Sequence, residues 1–506
     1  MERDVSARRC ACIHGHFYQP PRENPWTGEV ERQLSARPHH DWNVRITEEC
    51  YRPNAAARVV DEQGGLPRTV DNYGRISFDF GPTLLSWLER HAADVYRSVL
   101  DADRASRGRF GGHGSAMAQV YNHMIAPLAH PRDLRCQVIW GARDFEHRFG
   151  RPPAGMWLPE TAVDLATLEA LADADVRFTI LGPHQARRMR AKHGDRWRDL
   201  GREQALDPSL VYEQRLPSGR SIALFFYDGP LARAVAFESL LGDGRDFADR
   251  LAGSLPDERD GLPRLAHVAT DGESYGHHHR FGEMALAAAL DRLESREDVE
   301  LTHYAAFLAE HPPTHAVEVA ENTSWSCPHG VERWRADCGC GGARQSWRAP
   351  LREAFDWLRD RLAPEFEARA SAMLRDPWAA REDYIEVLLD PGDAARRRFL
   401  EAHALRETGP AERRELWTLL EQQRHCMLMY TSCGWFFEDL ARLEPLQVLR
   451  YAGRAIELAR ELGLDDPEPG FLARIDPARS NDPERGTARD LYARHVSRRA
   501  PLDDHS

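Results

Sequence analysis

Two carboxylates raise the question of chemistry. Glu160 stands in GMWLPETAVD (155–164), directly behind an apolar run and a proline, and Asp271 stands in HVATDGESYGHHH (267–279), behind HVAT. A carboxylate that closes an apolar strand is delivered to a fixed place, which is what nucleophilic or general acid–base chemistry demands. Local explanations stand beside each. Glu160 can be a first-turn partner of a helix dipole beginning near Thr161, and Asp271-Gly272-Glu273 can be a turn. In CACIHGH (10–16), His14 and His16 alternate along a strand and so share a face, as a satisfied polar pair or as site residues. Further strand ends carry His184 after TILGP, Asp228 after ALFFY, and Trp325 after VEVAENTS. Polar groups at almost every strand end form a convergent set that a purely structural sheet does not need.

The elements that must position these groups follow from hydrophobic pattern. Strands are expected at 10–16, 155–160, 176–183, 221–230, 264–273 and 317–325. Helices are expected between them at 82–100, 115–129, 131–150, after Glu160, and at 281–295. Strands with near-continuous apolar runs that alternate with helices predict a parallel sheet covered by helices. Six or more such units predict a closed or nearly closed barrel. Beyond about residue 347 every apolar pattern is helical, as in ERRELWTLLEQQRHCMLMYTS and LQVLRYAGRAIELARELG. The expected organisation is an α/β catalytic barrel over 1–345, an α-helical domain over 346–470, and a polar, poorly ordered tail over 471–506.

Composition narrows the class. A chain of 506 residues, 42% hydrophobic and 9% aromatic, has material for a large core and for two or three domains. A formal charge of −13 argues against a nucleic-acid binder. No apolar run approaches a membrane span, and MERDVSARRCACIHGHFYQ has no signal-peptide core, so a cytoplasmic protein without membrane partners is expected. Its nine cysteines are then expected to be reduced. Three thiols and an imidazole, Cys327, His329, Cys338 and Cys340, fall within fourteen residues. The gaps of one residue within each pair are narrower than structural zinc usually takes, so a reduced, loop-stabilising cluster is expected there rather than a metal. Adjacent His277, His278 and His279 cannot all face one ion in a regular element, and they read as polarity of a substrate loop.

At this point a resemblance becomes specific. HGHFYQP (14–20), GGHGSAMAQVYNH (111–123), GMWLPETAVD (155–164), HVATDGESYGHHH (267–279) and ENTSWSCPHGVERW (321–334) resemble, in order, the sequence regions of glycoside hydrolase family 57. The likeness is greatest to the subgroup with a C-terminal domain of uncharacterised function, and covers roughly residues 10 to 440. The resemblance implies an incomplete (β/α)7 barrel followed by a helical segment, acting on α-glycosidic bonds with retention of configuration. It implies Glu160 as nucleophile, Asp271 as general acid/base, and His14 and His16 lining the subsite of the cleaved sugar. In this chain Phe17 and Tyr18 intervene between His16 and Gln19-Pro20, where the family more often has His-x-His-Gln-Pro. Trp157 and Trp325 offer aromatic planes to sugar faces, and Glu273, His113 and Asp228 complete the expected substrate-binding set.

The expected activity is a retaining hydrolase or transglycosylase on α-linked glucans that uses no cofactor. Two other readings remain open at this level. One is a metal-dependent carbohydrate enzyme, deacetylase-like or zinc-glycosidase-like, with ligands from His14, His16, Asp271 and His277. The other is a non-catalytic glycan-binding protein on the same barrel. Oligomeric state is not readable from these residues.

Overall fold

The computed structural model describes residues 9–59, 68–201, 206–256, 261–341, 344–497 and 502. The polar strand ends belong to seven parallel strands. These are β1 (Arg9–Phe17), β2 (Ser77–Phe80), β3 (Ala116–Gln119), β4 (Met156–Trp157), β5 (Phe178–Leu181), β6 (Ser221–Phe226) and β7 (Arg264–Asp271). β7, β1, β2, β3 and β4 pair side by side, and β5 pairs with β6. Two thin seams join the sets: a parallel bridge from Gly155 to Phe178, and the Asp228 N–H donating to the His267 carbonyl at 2.9 Å. The result is a (β/α)7 barrel. Its strands are apolar on both faces because side chains fill the interior while helices cover the outside.

Register then decides which polar groups meet. His16 lies opposite Asp271 of β7 on one side and opposite Asp79 of β2 on the other, and His14 lies opposite Ser77. Facing residues of paired strands share a face, so Asp271, His16 and Asp79 form one row across three strands. From β5 and β6 the sheet continues outward through Val211–Arg215, His315–Val319, Ala186–Ala191 and Arg198–Asp199.

One expected helix is a strand. The run SAMAQVYNHMIAPLA contributes β3, with all four strand residues buried. A short apolar run buried on both faces carries no period that separates strand from helix.

The described chain divides into two units, and the division is not the expected cut near residue 345. The barrel unit comprises 1–19, 43–119 and 148–325, and the helical unit comprises 20–42, 120–147 and 326–506. The helical unit includes the long helices Arg348–Ala370, Pro410–Leu428 and Leu443–Glu461. The stretch expected to be a poorly ordered tail differs as well. It holds helix Ala488–Tyr492 and most of Glu468–Ile475, with Phe471, Ile475, Leu491 and Tyr492 buried. A few apolar residues at helical spacing outweigh its polar average, and the Phe471 ring stacks on Phe355 at 5.8 Å. Residues 498–501 and 503–506 of that stretch lie outside the described residues. Among the described residues no helix is long and apolar enough to cross a membrane.

Candidate active site

Strand β1 presents His14 and His16 to the barrel interior, both almost wholly buried. Burying two imidazoles requires partners for their nitrogens, and β2 supplies them. His14 meets Ser77 Oγ through Nδ1 at 3.0 Å and Asp79 Oδ1 through Nε2 at 3.1 Å, while His16 Nδ1 meets Asp79 Oδ2 at 2.8 Å. One carboxylate thus braces both rings, and both nitrogens of His14 are already engaged. Burial pushes the His14 pKa down against the pull of Asp79. For His16 burial also opposes protonation, but Asp79, reinforced by Asp271 and Glu273, prevails and holds the pKa up at about 9. Asp79 escaped the sequence reading. The signal was the alternation Ser-Phe-Asp-Phe (77–80), which puts two polar groups on one face and two aromatic rings on the other.

The indole of Trp157 lies under this pair. Its ring is 5.1 Å from His14 and 4.8 Å from His16, near-parallel to both, and it is 0% exposed. Trp157 therefore supports the histidines and offers no open face to a sugar, which corrects its assignment as a stacking platform. Tyr18 also stacks on His16, at 5.9 Å, and stays half-buried.

Glu160 follows β4 by three residues. The helix beyond it begins at Leu165 and is capped by Asp164, whose side chain accepts from the Thr167 N–H, so Glu160 is outside that helix's first turn. Its backbone instead sits in the left-handed region, φ 58° and ψ 20°, with Thr161 beside it at φ 49°. For a residue with a Cβ this conformation costs of order 1 kcal/mol or more, and surrounding contacts must hold it. Gln185, fully buried, does much of that holding. It accepts from Thr161 Oγ1 and the Gly182 N–H, and donates to the carbonyls of Thr161 and Thr323. The segment leading to Trp325 is pinned alongside by paired bonds between Val163 and residues 322 and 323. Trp325 then donates its backbone N–H to the Glu160 carbonyl at 3.0 Å and its indole Nε1–H to Glu160 Oε2 at 3.1 Å. A 9% exposed carboxylate is thereby aimed by an indole from a loop distant in sequence.

Asp271 ends β7 exposed, next to His16 in the row. The Asp-Gly pair is not a free turn. A Cβ on Gly272 would lie 2.3 Å from the Phe17 ring, so glycine is what lets the end of β7 close on β1. Glu273 is buried and accepts from Tyr51 Oη–H at 2.6 Å and from the Tyr18 N–H at 3.1 Å. Burial pushes its pKa up, with Asp271 adding to it, and the bond from Tyr51 and His16 limit the rise to about 7. Tyr227, just beyond β6, joins the two carboxylates' surroundings. Its ring meets Trp325 edge-on at 6.3 Å, and burial together with the charge of Asp271 raises its pKa. Trp325 is in turn 6.3 Å from His16 and 5.1 Å from Trp157.

The structure thus brings His14, His16, Trp157, Glu160, Asp271, Glu273 and Trp325 into one neighbourhood. It adds Asp79, Tyr227, Tyr51 and Gln185, which sequence reasoning missed. One expected substrate contact is placed elsewhere, and another is engaged as a helix cap at the end of β6. His113 precedes β3, whereas the site residues lie at or beyond the ends of their strands, so it belongs to the opposite end of the barrel, its carbonyl accepting from His303. Asp228 caps the helix Gly229–Phe237 through the Leu231 N–H. His184 is exposed and bonds the Ser324 carbonyl. His277 pairs with Glu49 and His279 with the Ala236 carbonyl, so these two rings of the histidine run are separately engaged. In the helical unit, one ligand atom each from Cys327, His329, Cys338 and Cys340 lies within 4.8 Å of the others.

Residues 74–320 match the family model of glycosyl hydrolase family 57, and residues 344–501 match a domain of unknown function, DUF3536. No curated protein matches the chain by sequence. Among solved structures, the fold is similar to an exo-type maltose-forming amylase from Pyrococcus sp. ST04, with 16% identity, TM-score 0.67, and coverage of 92% of this chain and 82% of that one. It is similar to a GH57-type branching enzyme from Pyrococcus horikoshii, with 15% identity, TM-score 0.57, and coverage of 92% and 94%. A 4-alpha-glucanotransferase from Thermococcus litoralis shares 15% identity with TM-score 0.54, covering 90% of this chain and 60% of that one. With the barrel and its strand-end carboxylates accounted for, it is the segment 74–320 of the chain that is similar to glycosyl hydrolase family 57.

Proposed function

We propose that the chain is a retaining enzyme of α-linked glucans, a hydrolase or transglycosylase, with Glu160 as nucleophile and Asp271 as general acid/base. The family model matched over residues 74–320 supports a glycosidic bond as the target, and the amylase, branching enzyme and glucanotransferase among similar folds support an α-glucan. The observation that carries the assignment is the strained, indole-gripped carboxylate of Glu160, linked through Trp325, His16 and Tyr227 to the surroundings of Asp271.

Retention needs two carboxyl groups about 5–5.5 Å apart, with no water between the attacking one and the sugar. Asp271 gives its proton to the glycosidic oxygen as Glu160 attacks the anomeric carbon, and the aglycone leaves. The carboxylate left on Asp271 then takes a proton from the incoming acceptor, which displaces Glu160 and restores both groups. Water as acceptor gives hydrolysis, and a sugar hydroxyl gives transfer. Held by Asp79 and backed by Trp157, His14 and His16 serve the sugar cleaved, with Tyr18 and Trp325 as half-buried aromatic edges. Nine cysteines, none of them in a disulfide, fit a cytoplasmic site of action.

The test is incubation with a panel of α-linked oligosaccharides and mass spectrometry of shortened and lengthened products. Wild type should yield one or both, and Glu160→Gln neither. Undiminished product formation by that variant ends the assignment.

A further inference from the structure

We propose that the helical unit contains a structural zinc site formed by Cys327, His329, Cys338 and Cys340. Tetrahedral zinc, with Zn–S of 2.3 Å and Zn–N of 2.0–2.1 Å, sets its ligand atoms roughly 3.6–3.8 Å apart. Here Cys327 Sγ and Cys340 Sγ are 3.6 Å apart, His329 Nδ1 and Cys340 Sγ are 3.1 Å apart, and all four ligand atoms lie within 4.8 Å of one another. Four protein ligands of this kind leave no open position, which is the pattern of a structural rather than a catalytic ion, and soft thiolates select zinc over calcium or magnesium.

The loop is built for this convergence. Gly339 stands between the last two thiols with φ +72°, a left-handed turn that brings the side chains on either side of it round to one point. Its N–H is held by Asp337 Oδ1 at 3.3 Å, and Asp337 Oδ2 accepts from the Gln345 N–H at 3.2 Å. Val331 and Trp334, fully buried, anchor the stretch between the two ligand pairs. With this glycine conformation, one-residue gaps are compatible with a shared ion.

Charge provides an independent indication. Arg348 is 1% exposed, and its hydrogen-bond partners among the described residues are the Phe436 and Phe437 carbonyls, Gln345 Oε1 and Cys338 Sγ, the last at 3.7 Å. Among the described residues no carboxylate accepts a hydrogen bond from this buried cation. Three thiolates and one divalent zinc carry a net charge of −1, which places an anion at the guanidinium and satisfies a thiolate sulfur with a donor. With neutral thiols, Arg348 has no anionic acceptor there.

The full chain, purified without added metal or chelator, should carry one zinc per chain by elemental analysis. Cobalt in its place should give the intense visible absorption of a tetrahedral thiolate site. Cys338→Ser with Cys340→Ser should abolish both. Should that double variant fail to fold, His329→Ala, at an exposed position, should still release zinc to a chelator far faster than wild type. Protein that takes neither zinc nor cobalt onto its thiols overturns the proposal. So do undiminished zinc in the double variant, equal zinc release from His329→Ala and wild type, or a Cys327–Cys340 disulfide in place of metal.

Discussion

The barrel site and the Cys/His loop gather reactive side chains by opposite means. In the barrel, Asp79, Glu160, Asp271 and Trp325 come from segments far apart in sequence; parallel register places Asp79 and Asp271, and hydrogen bonds from Gln185 and Trp325 hold the turn at Glu160. In the loop, all four ligands lie within fourteen residues, and His329 is exposed. The barrel positions its groups by burial and backbone pairing. The loop is anchored by Val331 and Trp334, and the proposed ion supplies the order that a sheet supplies elsewhere. Substitutions in the first region should therefore change chemistry, and substitutions in the second should change stability.

The sharpest way to break this contrast is Glu160→Gln, expected to lower kcat about 10⁴-fold or more, as removal of a nucleophile does. Asp271→Asn should cost about 10²–10⁴-fold on oligosaccharides, and far less on aryl glycosides whose leaving group needs no proton. Equal losses on both substrates would remove Asp271 from that role. Trp325→Phe keeps a ring but deletes the N–H that reaches Glu160 Oε2. A hydrogen bond to a charged group is worth about 1.5–3 kcal/mol, so steady-state kinetics should show a loss of roughly ten- to hundredfold, in kcat more than in KM. In the loop, Cys338→Ser should act on melting temperature, by about 2–4 °C for each kcal/mol lost.

The smallest effect concerns pH. His16 holds its proton to about 9 in the folded chain, against an ordinary 6.5, through Asp79 and despite burial. Its contribution to stability is complete below pH 6.5 and is lost as pH rises through 9. His16→Gln should flatten the fall of melting temperature across that window. Glu273 has the same sign at lower pH. Burial raises its pKa from 4.5 to about 7, so the folded chain keeps a proton that the unfolded chain releases, and stability falls as pH rises between those values. Glu273→Gln should remove that slope, and a slope left unchanged would place the titrating group elsewhere.

Strand ends were legible wherever a long apolar run stopped at a polar residue, which is how Glu160, Asp271 and the two histidines stood out. What escaped was carried on elements too short for a period. Asp79 sits in a four-residue strand, and β3 has no alternation because both its faces are buried. His113 shows that a polar residue beside an apolar run does not reveal which end of the strand it occupies when that strand is taken for a helix. Gln185 locks the left-handed turn at Glu160 through four contacts to three segments, and nothing local to PHQ announces them. The Cys/His loop was conspicuous in sequence, but residue spacing alone omits the left-handed Gly339 that lets its side chains converge.

The central claim is that residues 160 and 271 hold the two complementary roles of a retaining mechanism on one sugar. Azide with an activated α-glycoside tests it most directly. Glu160→Ala should release the β-glycosyl azide, because azide attacks from the side the carboxylate vacated, while Asp271→Ala should release the α-glycosyl azide through an intact glycosyl-enzyme. Azides of the same configuration from both variants, or wild-type turnover in Glu160→Ala without azide, would contradict the account.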